Sequence, residues 1–172
     1  MDKLFVYVEG VARGEPGEAG IGIAITDKDG NVIEEISRMI GRATSEVAEY
    51  RALLEGCKAA IPYSPNSVIF FTAHQRLANH INGIFSTRKP HLKHLAEMIM
   101  GLLDAFPQWR VNYIDRDTNR LAHRLVERAF HNRVQAKMTR ERLEMRLLAR
   151  TATLSDEAME KLIEYAERLQ GE

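Results

Sequence analysis

Two glutamates stand where chemistry is easiest to place. Glu9 follows the alternating run Val6-Tyr7-Val8 and reads as the end of a buried strand, beside Gly10 and a Gly14-Glu15-Pro16-Gly17 turn. Glu49 lies at helical spacing with Tyr50, Leu53 and Cys57. Carboxylates brought together from a strand and a helix can hold a divalent cation or share a proton. A close buried pair is costly without either, so one of the two is expected to titrate high. Two readings stay open: a residual single-metal site, or two carboxylates in a solvated cleft. His123 is either a replacement ligand or positive partner for Glu9, or a histidine on a helix surface. Asp115 and Asp117 are further oxygen donors for a rebuilt site. His91 and His94, three apart, form half a metal site with no recognisable third ligand, and read as a surface face.

The elements that must position these groups follow from hydrophobic period. Leu4–Val8, Gly20–Thr26 and Val32–Ile40 alternate like strands, with Asp29-Gly30-Asn31 as a hairpin signal. From Ser45 the period becomes helical and Pro62 closes the segment. Val68–Thr72 reads as a fully buried central strand. Helices are expected from His74 to about Ile84 and from Pro90 to about Ala105, then a strand over Val111–Ile114. Helical sequence runs from Asn119 to about Arg150, and Ser155 starts a last helix ending near Gly171. The order predicts an α/β fold: a mixed five-stranded sheet, three antiparallel strands then parallel ones, with helices on both faces and a C-terminal helical extension. We place the sheet domain at 1–135 and the extension, read as a helical hairpin, at 136–172.

The 172 residues carry 24 basic and 24 acidic side chains, so no global field points to nucleic acid or a membrane. The distribution is uneven: residues 116–150 hold ten Lys or Arg against four acids, and residues 151–172 hold six acids against two bases. Arg116, Arg120, Arg124 and Arg128 recur every four residues, as along one helix stripe. They read either as a phosphate-tracking ridge or as a solvated face paired with nearby acids. Met138, Leu143, Met145 and Leu147, then Met159, Leu162, Ile163 and Leu169, give the extension two apolar stripes suited to a homodimer. The single cysteine, Cys57, reads as core packing and excludes an internal disulfide framework, which fits a reducing cytoplasm. No secretory signal and no membrane span is read.

Four motifs in order resemble the type 1 ribonuclease H family over about residues 3–130. Gly10 with Gly14-Glu15-Pro16-Gly17 and Gly20-Ile21-Gly22 is similar to its glycine-rich opening; Thr44–Leu53 (TSEVAEYRAL) to its Thr-Asn-Asn-x-Ala-Glu-Tyr-x-Ala-Leu; Thr72–Gly83 (TAHQRLANHING) to its Ser-Asp-Ser-Gln motif; and Arg116–Leu125 (RDTNRLAHRL) to its Arg-x-x-Asn-x-x-Ala-Asp-x-Leu. The resemblance implies four carboxylates holding two divalent metals about 3.5 to 4 Å apart. Those positions here are Glu9, Glu49, Ala73 and His123. Ala73 offers no ligand, and a histidine suits Mn²⁺ better than Mg²⁺. The family's substrate-facing asparagines correspond to Glu15, Ser45 and Glu46, while Gln75 is retained. New acids on a surface that should meet phosphates oppose binding. The expectation is a ribonuclease H-like binding or interaction module that no longer hydrolyses RNA/DNA hybrids. It needs no cofactor and binds nucleic acid weakly through Arg13, Gln75, Arg116, Arg120, Arg124 and Arg128. The alternative is a slow or redirected hybrid ribonuclease using Mg²⁺ or Mn²⁺ at Glu9, Glu49 and His123.

Overall fold

The structure, a computed structural model, describes residues 2–171. Its elements in order are β1 (Lys3–Gly14), β2 (Gly17–Thr26), β3 (Val32–Ala43), α1 (Ser45–Ala60), β4 (Ser67–Thr72), α2 (Gln75–Ile81), α3 (Pro90–Leu103), β5 (Gln108–Tyr113), α4 (Arg120–Thr151) and α5 (Asp156–Gln170), with one 3₁₀ turn after α1. The sheet order is β3-β2-β1-β4-β5. β1 pairs antiparallel with β2, and β2 with β3, whereas β1–β4 and β4–β5 are parallel. This is the mixed five-stranded sheet that the hydrophobic periods predict.

Local chemistry explains the turns. Between β2 and β3 the Asp27 carboxylate accepts the backbone N–H groups of Asp29 and Asn31, both at 2.9 Å, and Gly30 takes φ +84°. Thr44 caps α1 by accepting the Val47 N–H at 3.2 Å. Alternation along β1 sends Leu4, Val6 and Val8 into a core with Ile21, Ile23, Ile25, Val68 and Phe70, closed by Tyr50, Leu53 and Cys57 of α1 and by Leu92, Ile99 and Leu103 of α3. Burial pushes the Cys57 thiol far up, in keeping with a packing role. The other face of the sheet receives the first turns of α4, where Ala122, Leu125, Val126, Ala129 and Phe130 are buried.

Two features differ from the sequence reading. β1 does not end at Glu9: it runs on to Gly14, paired with Gly17 across the hairpin, so Glu9 is a mid-strand residue opposite Gly22. Gly10 marks a contact rather than a turn, because a Cβ there would lie 2.1 Å from the Ala48 carbonyl of α1. Likewise α4 starts at Arg120, so Arg116 belongs to the preceding turn and only Arg120, Arg124 and Arg128 share a helix stripe.

The chain divides into two compact units, Met1–Asn132 and Arg133–Glu172. The second consists of the rest of α4 and all of α5, whose N-cap Ser155 accepts the Ala158 N–H at 3.3 Å. Ion pairs within its helices include Lys137–Glu141 and Arg140–Glu144 in α4 and Lys161–Glu157 in α5. Among the described residues no helix is long and apolar enough to cross a membrane.

Gly22 sets the seat of α4, since a Cβ there would meet the Ala122 carbonyl oxygen at 2.2 Å and the Val126 nitrogen at 2.7 Å. Gly22→Ala is expected to lower stability by roughly 1–3 kcal/mol through overpacking. Urea denaturation of the two proteins measures the difference.

Candidate active site

Gly10 of β1 and Gly22 of β2 bring α1 and α4 against the sheet from opposite faces, and four of the sequence-selected groups meet there. Glu9 has none of its surface exposed. Its Oε2 lies 3.1 Å from Nδ1 of His123 and its Oε1 lies 3.5 Å from Nε of Arg116. The His123 ring faces the Glu9 carboxyl through Nδ1, which leaves its opposite ring nitrogen for other contacts. Glu49, from α1, is buried too, and its Oε2 accepts the Gly10 N–H at 3.3 Å. Burial first, and then the charge of Glu9, push the Glu49 carboxyl up to about 8, against the Gly10 hydrogen bond and the charge of Arg116. At neutral pH Glu49 therefore keeps its proton. The two carboxyls are not in a solvated cleft, and His123 is more than a surface histidine.

The remaining positions fall as follows. Ala73 stands directly after β4, one residue beyond the register pair Val8–Thr72, and supplies a methyl group where the resemblance calls for a ligand. Among the described residues no group of three or more His, Cys, Asp or Glu is arranged to hold a metal ion. The donors present do not fit a two-metal centre. Glu9 is faced by the nitrogens of His123 and Arg116, Glu49 accepts the Gly10 N–H, and Ala73 contributes no oxygen. Asp115 accepts a hydrogen bond from the Tyr113 hydroxyl at 3.2 Å, and Asp117 sits with Arg116, Arg120, His123 and Arg124 around a shallow pocket of about 250 Å³.

The acids expected to repel phosphates are answered internally. Both oxygens of Glu15 accept the Ser45 N–H at 3.1 Å, which places a carboxylate on the N-terminus of α1. Glu46 pairs with Lys89. Partial burial works against ionisation of Glu46, but the Lys89 hydrogen bond and charge, with help from Arg76 and His74, hold its carboxyl below the usual range. Gln75 is exposed at the start of α2. The arginines are also engaged: Arg13 lies 4.0 Å over the Phe130 ring and 3.4 Å from Glu127, Arg120 donates to the Asp117 carbonyl at 3.0 Å, and Arg128 pairs with Glu35 at 3.3 Å. Arg124 lines two shallow pockets between them.

Two positioning residues escaped the sequence reading. Asn119 is fully buried and its side-chain amide donates to the Val8 carbonyl at 2.9 Å, which ties the turn carrying Arg116 to the strand carrying Glu9. His74 caps α2 by accepting the Leu77 N–H on Nδ1 at 3.1 Å, and burial holds its imidazole below the usual value. The signal for Asn119 was its place in RDTNRLAH immediately before a helix, where asparagine is favoured. Nothing in the sequence distinguishes an anchoring asparagine from a simple cap.

A fold of this order, with carboxyls on β1 and α1 and a helix closing the far face, is matched by the Reverse transcriptase-like family over residues 7–129. The chain belongs to this family of ribonuclease H domains. It is 30% identical to Ribonuclease HI of Halobacterium salinarum, over 74% of this chain and 64% of that protein. It is 28% identical to the Bifunctional protein Rv2228c of Mycobacterium tuberculosis, over 78% of this chain and 37% of that one. The chain thus spans less than two thirds of these relatives' length. Among solved structures, RNase H1 of Halobacterium salinarum superposes with a TM-score of 0.73 at 29% identity, over 76% of this chain and 98% of that one. LC11-RNase H1, isolated from compost, gives 0.72 at 30% identity over 76% and 99% in its complex with an RNA/DNA hybrid.

The raised Glu49 carboxyl makes stability depend on pH. The unfolded chain releases this proton near 4.5 and the folded chain near 8. Between those values the native state binds more protons than the unfolded one, so stability falls as pH rises and then levels off. At about 1.4 kcal/mol per pKa unit, the contribution is of order a few kcal/mol. Thermal unfolding of Glu49→Gln is expected to lose this decline and to exceed wild type at pH 8. An unchanged pH profile would contradict the assignment.

Proposed function

We propose that this chain is a ribonuclease H-like protein that no longer hydrolyses RNA/DNA hybrids and that works as a binding or interaction module. The observation that carries this reading is the arrangement around Glu9, whose oxygens face Arg116 Nε and His123 Nδ1, with Ala73 in place of a third carboxylate. In a two-metal mechanism one ion generates the attacking hydroxide and the other stabilises the leaving oxygen. Here Arg116 and His123 lie against the oxygens of Glu9, and Ala73 supplies no carboxylate where a further ligand would stand.

Nucleic-acid contact, on this reading, is weak and metal-independent. The relative solved with an RNA/DNA hybrid gives the class of partner. Glu15 and Glu46 occupy hydrogen-bond donors and cations of their own, and Arg13 and Arg128 are tied to Glu127 and Glu35. What remains for phosphates is Arg124 with the outer faces of Arg116 and Arg120 around the shallow pocket. The single buried cysteine supports a cytoplasmic setting.

Single-turnover cleavage of a labelled RNA/DNA hybrid tests the reading. With Mg²⁺ or Mn²⁺ present, no product above the rate of the Glu49→Gln control is expected. Binding measured by fluorescence anisotropy should survive a chelator and weaken several-fold in Arg116→Ala/Arg124→Ala. Metal-dependent cleavage that disappears in Glu49→Gln would overturn it, and would favour a rebuilt Mn²⁺ site in which Glu9, Glu49 and His123 act together.

A further inference from the structure

Residues 133–150 of α4 are all exposed, yet the sequence there is not that of a solvated helix. Val134, Met138, Met145 and Leu148 fall on one stripe at the 4, 7 and 3 residue steps of a heptad seam. Leu143 and Leu147 lie about 180° away around the same helix at about 100° per residue. All six are more than 40% exposed. α5 carries its own seam, Met159, Leu162, Ala166 and Leu169, with Ile163 beside it and a charged opposite face.

One amphipathic helix can cover one face of α4, and this segment offers two. A helix that is apolar on opposite sides is ordinarily buried from both. Its own ion pairs, Lys137–Glu141 and Arg140–Glu144, are exposed i,i+4 pairs and add only a few tenths of a kcal/mol each. In proteins most helical stability comes from packing an apolar face rather than from propensity. The two exposed apolar stripes here are faces of that kind.

Charge identifies the occupant. Residues 133–150 carry six basic side chains against two acidic ones, and residues 151–172 carry six acidic against two basic. A two-fold axis places the basic segment of one copy against the acidic segment of the other, twice, so the surface is complementary to itself. An unrelated partner would have to reproduce both halves of this pattern. A second copy of the chain already has them.

We propose that two copies of this chain associate through residues 133–171, with the acidic α5 of each seated on the basic, doubly apolar end of α4 of the other, as a four-helix arrangement. The interface lies outside the ribonuclease H domain and does not depend on its activity. With roughly half of each 39-residue segment facing the partner, the interface approaches the 20–30 residues a side of a standard stable one.

Sedimentation equilibrium of the full chain at about 50 μM protomer, where association is favoured by mass action, is expected to give twice the 19.6 kDa of one chain. Met145→Asp/Leu148→Asp should reduce the mass to that of one chain without changing the near-ultraviolet spectrum of the sheet domain. A charge-swap pair separates association between copies from docking within one. Chain X carries Glu160→Lys, Glu164→Lys and Glu167→Lys, and chain Y carries Lys137→Glu, Arg142→Glu and Arg146→Glu. Each alone should dissociate at least tenfold more readily than wild type, and an equimolar mixture should recover the dimer as X·Y. Wild type sedimenting as a single chain would overturn the proposal. X and Y remaining separate when mixed would overturn it too.

Discussion

A carboxylate with no surface in water has to be answered by positive charge, hydrogen bonds or a proton. Glu9 is such a group, and the architecture around it is arranged to provide the answer. Gly22 lets α4 come close enough for His123 to reach Glu9, and Asn119 pins the turn from which Arg116 reaches it. Gly10 brings α1 in from the other face and lends its own N–H to Glu49. Two acids this close cannot both ionise cheaply. At Glu49 burial and the charge of Glu9 outweigh the Gly10 hydrogen bond and the charge of Arg116, so its carboxyl is the one pushed up.

The same logic extends outward from the centre. Charges that the sequence places on the surface next to Glu9 mostly find partners inside the domain: Glu46 with Lys89, Glu35 with Arg128, Glu127 with Arg13. Each exposed pair contributes little to stability. Collectively they matter in another way, because a cation already facing a carboxylate releases fewer counterions when a phosphate arrives. A domain of balanced charge with its surface paired in this way is a poor polyelectrolyte trap.

Much of the fold was legible from period and punctuation. Alternation in Leu4–Val8, the apolar run Val68–Thr72, the Asp-Gly-Asn hairpin and the switch to helical spacing at Ser45 all reflect forces acting within a few residues. Ile69 and Phe71, though, are only half-buried where the sequence predicts a fully buried strand. What was misread depends on contacts distant in sequence. Gly10 looks like a turn residue until α1 is laid across it, and Arg116 looks helical until Asn119 is seen bonded to Val8. The candidate site was legible as a set of positions, Glu9, Glu49, Ala73 and His123, because each sits inside a recognisable motif. Its protonation pattern was not, beyond the expectation that one acid titrates high. That pattern follows from burial and from which cation faces which oxygen, and both are properties of the folded chain.

Glu15 gives the turn between β1 and β2 a further meaning. Its carboxylate rests on the Ser45 N–H at the head of a 16-residue helix, a position with an intrinsic appetite for anions. Held there by the folded β1–β2–β3 sheet, it behaves as a tethered ligand whose local concentration is of the order of millimolar or more. Any free anion seeking that helix end has to outcompete an occupant that never diffuses away. The turn thus sets a threshold affinity: weak, abundant phosphates are screened out, and only a ligand with additional contacts elsewhere on the surface can displace the carboxylate.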